Sequence, residues 1–241
     1  MRGGWSFLSL LLAFGAVGSA DAASLRIAPV SLNFTAPAAA GSLTLTNSDS
    51  AAITVQARVF RWQQRDGKET LEETKDVVVS PPFAKVSPGG NYTIRVLRLA
   101  KAPVAGEESY RVLIDQLPEP TVVKDQTVRL LLRYSVPVFF DPATRPKPAV
   151  EWAVRRQGDR VMLAVANKGG GRLKLTDVDL VDANGKSTRV SNGLLGYVLS
   201  GSSMTWPLPM KAAAMPKGLQ SVRYATEIGP VNAPITVKDG R

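Results

Sequence analysis

The stretch QTVRLLLRYSVPVFF, residues 126–140, is too apolar for an ordinary surface strand, and it is shorter than the roughly 20 residues that a membrane-spanning helix needs. With the two-residue repeat of a strand, it places one continuous apolar row on one face, and that row comprises Val128, Leu130, Leu132, Tyr134, Val136 and Val138. Arg129, Arg133 and Ser135 fall on the opposite face. The pattern leaves two interpretations open, because the row is either buried in the protein's own domain or kept for a partner.

Residues 1–23 have the pattern of an export signal. Arg2 precedes an apolar run from Trp5 to Val17, and small residues follow up to Ala22, which is typical of a cleaved signal peptide. We expect the exported chain to begin near Ala23 or Ser24. No later segment is long and apolar enough to cross a bilayer, so the exported protein is not expected to be embedded in a membrane.

The chain contains neither Cys nor His. Their absence excludes disulfides, nucleophilic sites that pair Ser or Cys with His, and metal sites built on His or Cys. Paired carboxylates remain available for chemistry such as glycoside hydrolysis, but the acidic residues are scattered without an evident partner. We therefore expect no enzyme activity, no metal and no cofactor.

The formal net charge is +10, with a pI near 10.0. The Lys and Arg residues are dispersed at strand-like spacing without a basic run, and no nucleic-acid-binding motif is present, so nucleic acid is not an expected partner. A basic surface for an acidic partner or an anionic membrane stays open.

Short alternating runs separated by turn signals recur along the whole chain after the signal, and convincing helical periodicity is absent. Several such strands at this spacing favour antiparallel sandwiches. Three prolines, Pro142, Pro146 and Pro148, stiffen the chain directly after the opening stretch. The predicted fold is all-β, with a first domain over residues 24–141, a Pro-rich hinge over 142–149 and a second domain over 150–241. Asn184-Gly185 predicts a hairpin in the second domain.

An ordered set of short motifs resembles the PapD-like pilus and fimbrial assembly chaperones. The motifs are Ile27-Ala28-Pro29-Val30-Ser31-Leu32, Leu45-Thr46-Asn47, Val79-Ser80-Pro81-Pro82, Ser87-Pro88-Gly89, Glu108-Ser109-Tyr110-Arg111 and the opening stretch itself. Residues 133–139, with Gly196-Tyr197-Val198-Leu199 and Trp206-Pro207-Leu208, resemble the archaic, or alternate, branch of that family. The resemblance covers nearly all of the exported chain and implies two immunoglobulin-like domains.

The resemblance also implies a function. The last strand of the first domain would be lent to a pilus subunit that lacks a strand, in the periplasm, before delivery to an outer-membrane usher. Val128, Leu130 and Leu132 would be the principal donor residues, and Tyr134 and Val136 would extend the row. Self-association of the free protein stays open.

Two departures from the better-known branch concern charge. The basic pair that holds a subunit's terminal carboxylate there falls on Ser31 and Pro137 here, so that pair is absent. The replacement candidates are Arg95, Arg98, Arg129 and Arg133, and the alternative for each is a place on a solvated strand face. The ion pairing between domains also departs from that branch, because Glu108 is in place but Asp141 stands where an Arg is expected.

Two other functions compete with the chaperone. A secreted structural or adhesive component of a surface fibre would also be a two-domain β protein. A pilin would carry a donor extension or lack a final strand, whereas this chain begins its first strand directly after the signal. A carboxylate-based glycosidase would need two converging acids, which the sequence does not indicate.

Overall fold

The computed structural model describes residues 25–118, 130–226 and 229–238. Within these ranges the chain forms strands and one short 3-10 turn, Ala212–Ala214. The all-β prediction is therefore confirmed. No helix in the described ranges is long and apolar enough to cross a membrane.

The first domain is a sandwich of two sheets. Its strands are β1 Leu25–Ala28, β2 Leu32–Thr35, β3 Ala40–Asn47, β4 Ile53–Arg65, β5 Lys68–Glu73, β6 Val77–Ser80, β7 Phe83–Val86, β8 Asn91–Arg98, β9 Glu108–Gln116 and β10 Arg133–Asp141. One sheet has the order β1, β3, β8, β6, and the other has the order β2, β10, β9, β4, β5, with β7 also paired to β4. Alternate apolar residues of both sheets face each other and form one core.

The opening segment of this domain contributes a strand to each sheet. β1 pairs antiparallel with β3, and β2 then pairs parallel with β10. β2 covers β10 only from Val138 to Asp141, while β9 lies along β10 from Arg133 to Phe140. This difference in length decides which part of β10 is enclosed.

The second domain is a smaller sandwich. Its strands are β11 Val150–Gln157, β12 Arg160–Asn167, β13 Leu173–Asp182, β14 Ser187–Arg189, β15 Leu194–Val198, β16 Ser203–Lys211, β17 Leu219–Thr226, β18 Gly229–Pro234 and β19 Thr236–Lys238. The sheet orders are β16, β12, β11, β19 and β14, β13, β17, β18, with β15 also paired to β13. A second core lies between these sheets, which agrees with the prediction of two sandwich domains.

The hairpin predicted at Asn184-Gly185 forms between β13 and β14. Gly185 has a φ of 77°, but Asn184 is not among the residues with positive φ. The Asp182 carboxylate instead accepts hydrogen bonds from the backbone N–H groups of Asn184 and Lys186, at 2.9 and 3.0 Å. The connection is therefore a longer turn closed by an aspartate, rather than the predicted two-residue turn.

Each domain contains one buried asparagine that binds several loop carbonyls. The Asn47 amide donates to the carbonyls of Ala51, Val86 and Ser87 at 2.8 to 3.2 Å. The Asn167 amide likewise donates to three carbonyls, at 2.7 to 3.3 Å, and its oxygen accepts from the N–H of Ala149. Because buried polar groups must be paired, each asparagine fixes the loops around it.

The connection over residues 142–149 packs against three consecutive glycines of the second domain. A Cβ at Gly169 would lie 2.4 Å from the carbonyl oxygen of Lys147, and one at Gly171 would lie 2.1 Å from that of Pro146. The Lys168 N–H also donates to the Ala149 carbonyl at 2.7 Å. The prolines therefore lie directly on the glycine backbone, and the linker is held against the second domain.

Candidate functional site

One edge of β10 is open over its first half. β9 pairs with β10 from Arg133 onward, whereas β2 begins its pairing only at Val138. In the described part of the chain, no strand pairs with the other side of residues 133–137. An open strand edge is a template for an added strand.

The hydrogen-bond register shows which backbone groups face this open edge. The Gln116 N–H donates to the Leu132 carbonyl at 2.9 Å, so Leu132 faces β9. Because antiparallel pairs alternate, Arg133, Ser135 and Pro137 direct their backbone groups away from β9. Pro137 has no N–H, so it offers the open edge a carbonyl only.

The predicted apolar row is divided in two by the structure. The side chain of Leu130 is 81% exposed and that of Leu131 is 45% exposed, whereas Leu132 is half-buried. Tyr134 packs against the core of the first domain, and its hydroxyl donates to the Leu25 carbonyl. Val128 lies outside the described residues.

The assignment of Val136 to the donor row is wrong. Its side chain is only 4% exposed and belongs to the core of the first domain, like that of Val138. Both side chains are inside their own sandwich because the facing sheet extends over them. The two interpretations of the row therefore apply to different halves of it.

The first residue of β10 is held by a cluster of charges. The Asp115 carboxylate accepts hydrogen bonds from Arg133 and from Arg58, the latter at 2.7 Å. Burial acts to raise the pKa of Asp115, but the hydrogen bonds from the two guanidinium groups outweigh it, so its pKa is lowered. The cluster fixes the end of β10 from which the exposed leucines continue.

The four candidate anchors for a carboxylate lie in different environments. Arg95 is exposed on β8, in the sheet that does not contain β10. Arg98 is already paired, because Glu108 binds its guanidinium through two hydrogen bonds of 2.8 Å. Arg133 is 63% exposed but already contacts Asp115. Arg129 lies outside the described residues.

The other end of β10 is joined to the second domain by Arg172. This buried guanidinium lies 2.7 Å from Glu107 and 2.9 Å from Asp141, and it donates to the Asn33 side chain at 2.7 Å. It also lies over the ring of Phe139, with 3.7 Å between the Arg172 Cζ and the ring centroid. An ion network between the domains therefore exists, with the acids on the first domain and the arginine on the second.

An aromatic cluster lies beside this network. Trp62, Phe139, Tyr197 and Leu199 form a third buried group, to which both domains contribute. The side chain of Gln64 donates to the Tyr197 carbonyl at 2.8 Å and accepts from the Leu199 N–H at 2.9 Å. The base of β10 is thus held by packing, hydrogen bonds and charge together.

A cleft of about 460 Å³ opens at the border between the domains. Its walls include Ser31 and Asn33, the apolar and aromatic residues Leu173 and Tyr224, and three exposed cations, Arg145, Lys147 and Lys174. These cations could not be identified from the sequence, because nothing local marks Lys174 as a neighbour of the linker. Within the described ranges, no group of three or more acidic side chains could hold a metal ion.

Comparison with known proteins agrees with this architecture. The sequence model of pili and flagellar-assembly chaperones, PapD N-terminal domain, matches residues 24–146. The chaperone protein FaeE of Escherichia coli is 26% identical over an alignment of 196 residues, and the match covers 77% of this chain and 70% of FaeE.

Two solved structures share the fold. A chain of the CsuC–CsuE chaperone and tip adhesion subunit complex, from the archaic Csu pili of Acinetobacter baumannii, is 24% identical with a TM-score of 0.66; the match covers 90% of this chain and all of that one. A chain of the SafA pilin and SafB chaperone complex of Salmonella enterica is 18% identical with a TM-score of 0.58; the match covers 90% of this chain and 98% of that one. Because the family model covers half of its length, this chain belongs to the family of pili and flagellar-assembly chaperones.

Proposed function

We propose that this protein is a periplasmic chaperone that lends the first part of β10, with the residues before it, to pilus or fimbrial subunits and passes them to an outer-membrane usher. The observation that carries the proposal is the open edge of β10 from Arg133 to Pro137, continued by the exposed side chains of Leu130 and Leu131. The CsuC–CsuE and SafA–SafB structures, in which a chaperone is in complex with a tip adhesion subunit and with a pilin respectively, support it.

The physical basis is the pairing of two incomplete surfaces. A subunit that lacks a strand exposes backbone edges and an apolar groove, which together promote aggregation. An added strand satisfies those backbone groups, and its alternate side chains fill the groove. Leu130 and Leu132 are the donor residues in this proposal, with Val128 before them and Tyr134 at the border of the core. Each buried leucine contributes roughly 1.5 to 3 kcal/mol before ordering costs.

This mechanism is non-catalytic and uses no cofactor. The subunit is held by strand pairing and burial, and it leaves when a neighbouring subunit's extension takes the place of the lent strand. The export signal predicted over residues 1–23 supports a periplasmic location. Release at the usher is an expectation from the family.

We infer that the cations of the interdomain cleft receive the subunit's terminal carboxylate. Arg98 is already paired with Glu108, and Arg133 already contacts Asp115. Lys147 and Lys174 are exposed in the cleft beside Ser31, and the structure gives neither of them an acidic partner among the described residues. Arg95 and Arg129 remain alternative anchors. Replacing Lys147 and Lys174 with Gln should weaken capture of a subunit several-fold, whereas Lys168→Gln should not.

The experiment that tests strand donation compares two pairs of leucines. The variant Leu130→Asp/Leu132→Asp should fold like the wild type and lose subunit capture. The control Leu99→Asp/Leu194→Asp alters two leucines that are 55% and 56% exposed elsewhere, and it should keep capture. Each tagged protein is expressed in the periplasm of its host under pilus-expressing conditions, and mass spectrometry identifies the proteins that copurify.

Three outcomes would contradict this proposal. If the Leu130→Asp/Leu132→Asp variant were unfolded, the leucines would belong to the protein's own core. If it captured subunits as well as the wild type does, the strand donor would lie elsewhere. Recovery of copies of this chain alone would favour the structural fibre component.

A further inference from the structure

The positive charge of this protein is concentrated in its second domain. Residues 142–241 contain 15 Lys and Arg against 7 Asp and Glu, so they carry +8 of the chain's net +10. The proposed strand donation uses none of this charge apart from the cleft cations. The remaining cations therefore need a separate explanation.

The fold gathers many of these cations at one end of the domain. β11 begins beside the linker and β12 returns to it at Asn167, so their connecting turn lies at the far end. Arg160 is opposite Lys211 on β16, and Arg155 is opposite Lys238 on β19. This far end, which we call the distal basic end, contains Arg155, Arg156, Arg160, Lys186, Lys211, Lys217 and Lys238.

The two sheets meet at this end. The segment that contains the 3-10 turn Ala212–Ala214 connects β16 of one sheet to β17 of the other. It follows Lys211, the last residue of β16, and contains Lys217. The Ala183 N–H donates to the Gly218 carbonyl at 2.9 Å, which places the turn with Lys186 beside it. The seven cations therefore share one surface.

Among the residues that the structure describes, few acidic groups lie at this surface. Asp159 lies 3.6 Å from Lys211, and the Asp182 carboxylate is occupied by backbone N–H groups. Among the described residues, the structure gives no acidic partner to five of the cations: Arg155, Arg160, Lys186, Lys217 and Lys238. All seven side chains are exposed.

The composition of this end favours a diffuse anionic surface over a folded protein partner. Protein interfaces are usually centred on buried aromatic or aliphatic anchors. Of the large apolar side chains that are exposed in the described residues, only Val237 lies within this end, at 40% exposure. The cations come from four separate segments and do not line a single pocket, as a broad anionic surface would require.

We propose that the distal basic end binds the anionic headgroups of a phospholipid bilayer. Several Lys and Arg residues near a membrane surface attract it without insertion. β10 runs from Arg133 towards the domain border at Asp141, so its open edge begins at the end of the first domain away from that border, whereas the distal basic end lies on the second domain. A protein bound in this way keeps the first part of β10 accessible.

The test is vesicle cosedimentation of the chain over residues 24–241. Vesicles in which about a third of the lipid is phosphatidylglycerol are compared with vesicles of phosphatidylcholine alone. The protein should bind only the anionic vesicles at about 50 mM salt and should dissociate at about 500 mM. The variant Arg155→Gln/Arg156→Gln/Arg160→Gln should bind at least tenfold more weakly, because each cation contributes about fivefold.

The matched control removes three charges from the first domain. Lys75, Lys85 and Lys101 are exposed, and their replacement by Gln should leave vesicle binding within about twofold, since they lie in the first domain, outside the distal basic end. Circular dichroism checks that both variants fold, and both should capture subunits normally, which separates this proposal from strand donation. Equal weakening in both variants would overturn it, as would an absence of binding to anionic vesicles. Binding to poly-glutamate without binding to vesicles would instead indicate an acidic protein partner.

Discussion

The two ends of β10 differ in almost every interaction. From Val138 to Phe140 the strand has β2 on one side and β9 on the other, and Phe140 is buried between Phe34 and Tyr110, with ring centroids 4.9 and 5.9 Å away. At Arg133 it has β9 alone, and the preceding leucines are exposed. The comparison shows how one strand combines a fixed base with an end that is open to a partner.

The largest expected effect is at the base. Arg172→Met would leave the Glu107 and Asp141 carboxylates buried without their main partner, and breaking such a network costs about 3 to 5 kcal/mol. Urea unfolding measures the loss. The control Arg145→Met removes a half-exposed cation 3.5 Å from Asp141 and should cost less than about 1 kcal/mol. Equal losses of unfolding free energy in the two variants would show that Arg172 does not stabilise the base of β10 more than Arg145 does.

A smaller effect is expected at the middle of the strand. Val136→Ala removes two buried methyl groups from the core and should lower the free energy of unfolding by about 2 kcal/mol. Thermal unfolding, followed by circular dichroism, measures the change. An unchanged thermal stability would show that Val136 does not stabilise the core, and would favour its original assignment to the donor row.

The charge cluster at the start of β10 should contribute about 1 kcal/mol, which Asp115→Asn would remove. Its effect depends on pH, because the pKa of Asp115 is lowered in the folded protein. The stabilisation is complete above the unfolded pKa of about 3.9 and is lost as the pH falls through the folded pKa. The difference in unfolding free energy between wild type and Asp115→Asn should therefore be constant near neutral pH and shrink below about pH 4. A difference that grew on acidification would contradict the assignment.

The smallest effect is expected at the open end. Leu130→Ala should change the free energy of unfolding by less than about 0.5 kcal/mol, because the side chain is 81% exposed. The same change should weaken subunit binding, which a titration with purified subunit measures. A loss of stability as large as that of Val136→Ala would show that the two halves of the strand do not differ.

Much of this architecture could be predicted because it depends on local alternation. The strands of both domains follow runs in which every second residue is apolar, and Ile94 and Val96 on β8 are buried as the pattern requires. Alternation could not predict the burial of Val136, because it assigns residues to a face without showing where the opposite sheet ends.

The contacts of Arg172 were also invisible in the sequence. Its partners Asp141 and Glu107 lie 31 and 65 residues away, and nothing near Arg172 indicates them. The family pattern places the arginine of the interdomain network at position 141 of the first domain, where this chain has Asp141. The structure instead links the domains through Arg172 of the second domain, which binds the acids Glu107 and Asp141 of the first.

The proline in the middle of β10 has a consequence for the length of any strand that pairs there. Arg133 and Ser135 each present a donor and an acceptor to the open edge, whereas Pro137 presents an acceptor alone, and β2 occupies the edge from Val138 onward. A strand that pairs along this edge would therefore lack one hydrogen bond at Pro137 and would meet β2 one residue later. Pro137 thus marks the point at which an added strand must end, and it limits the length of that strand.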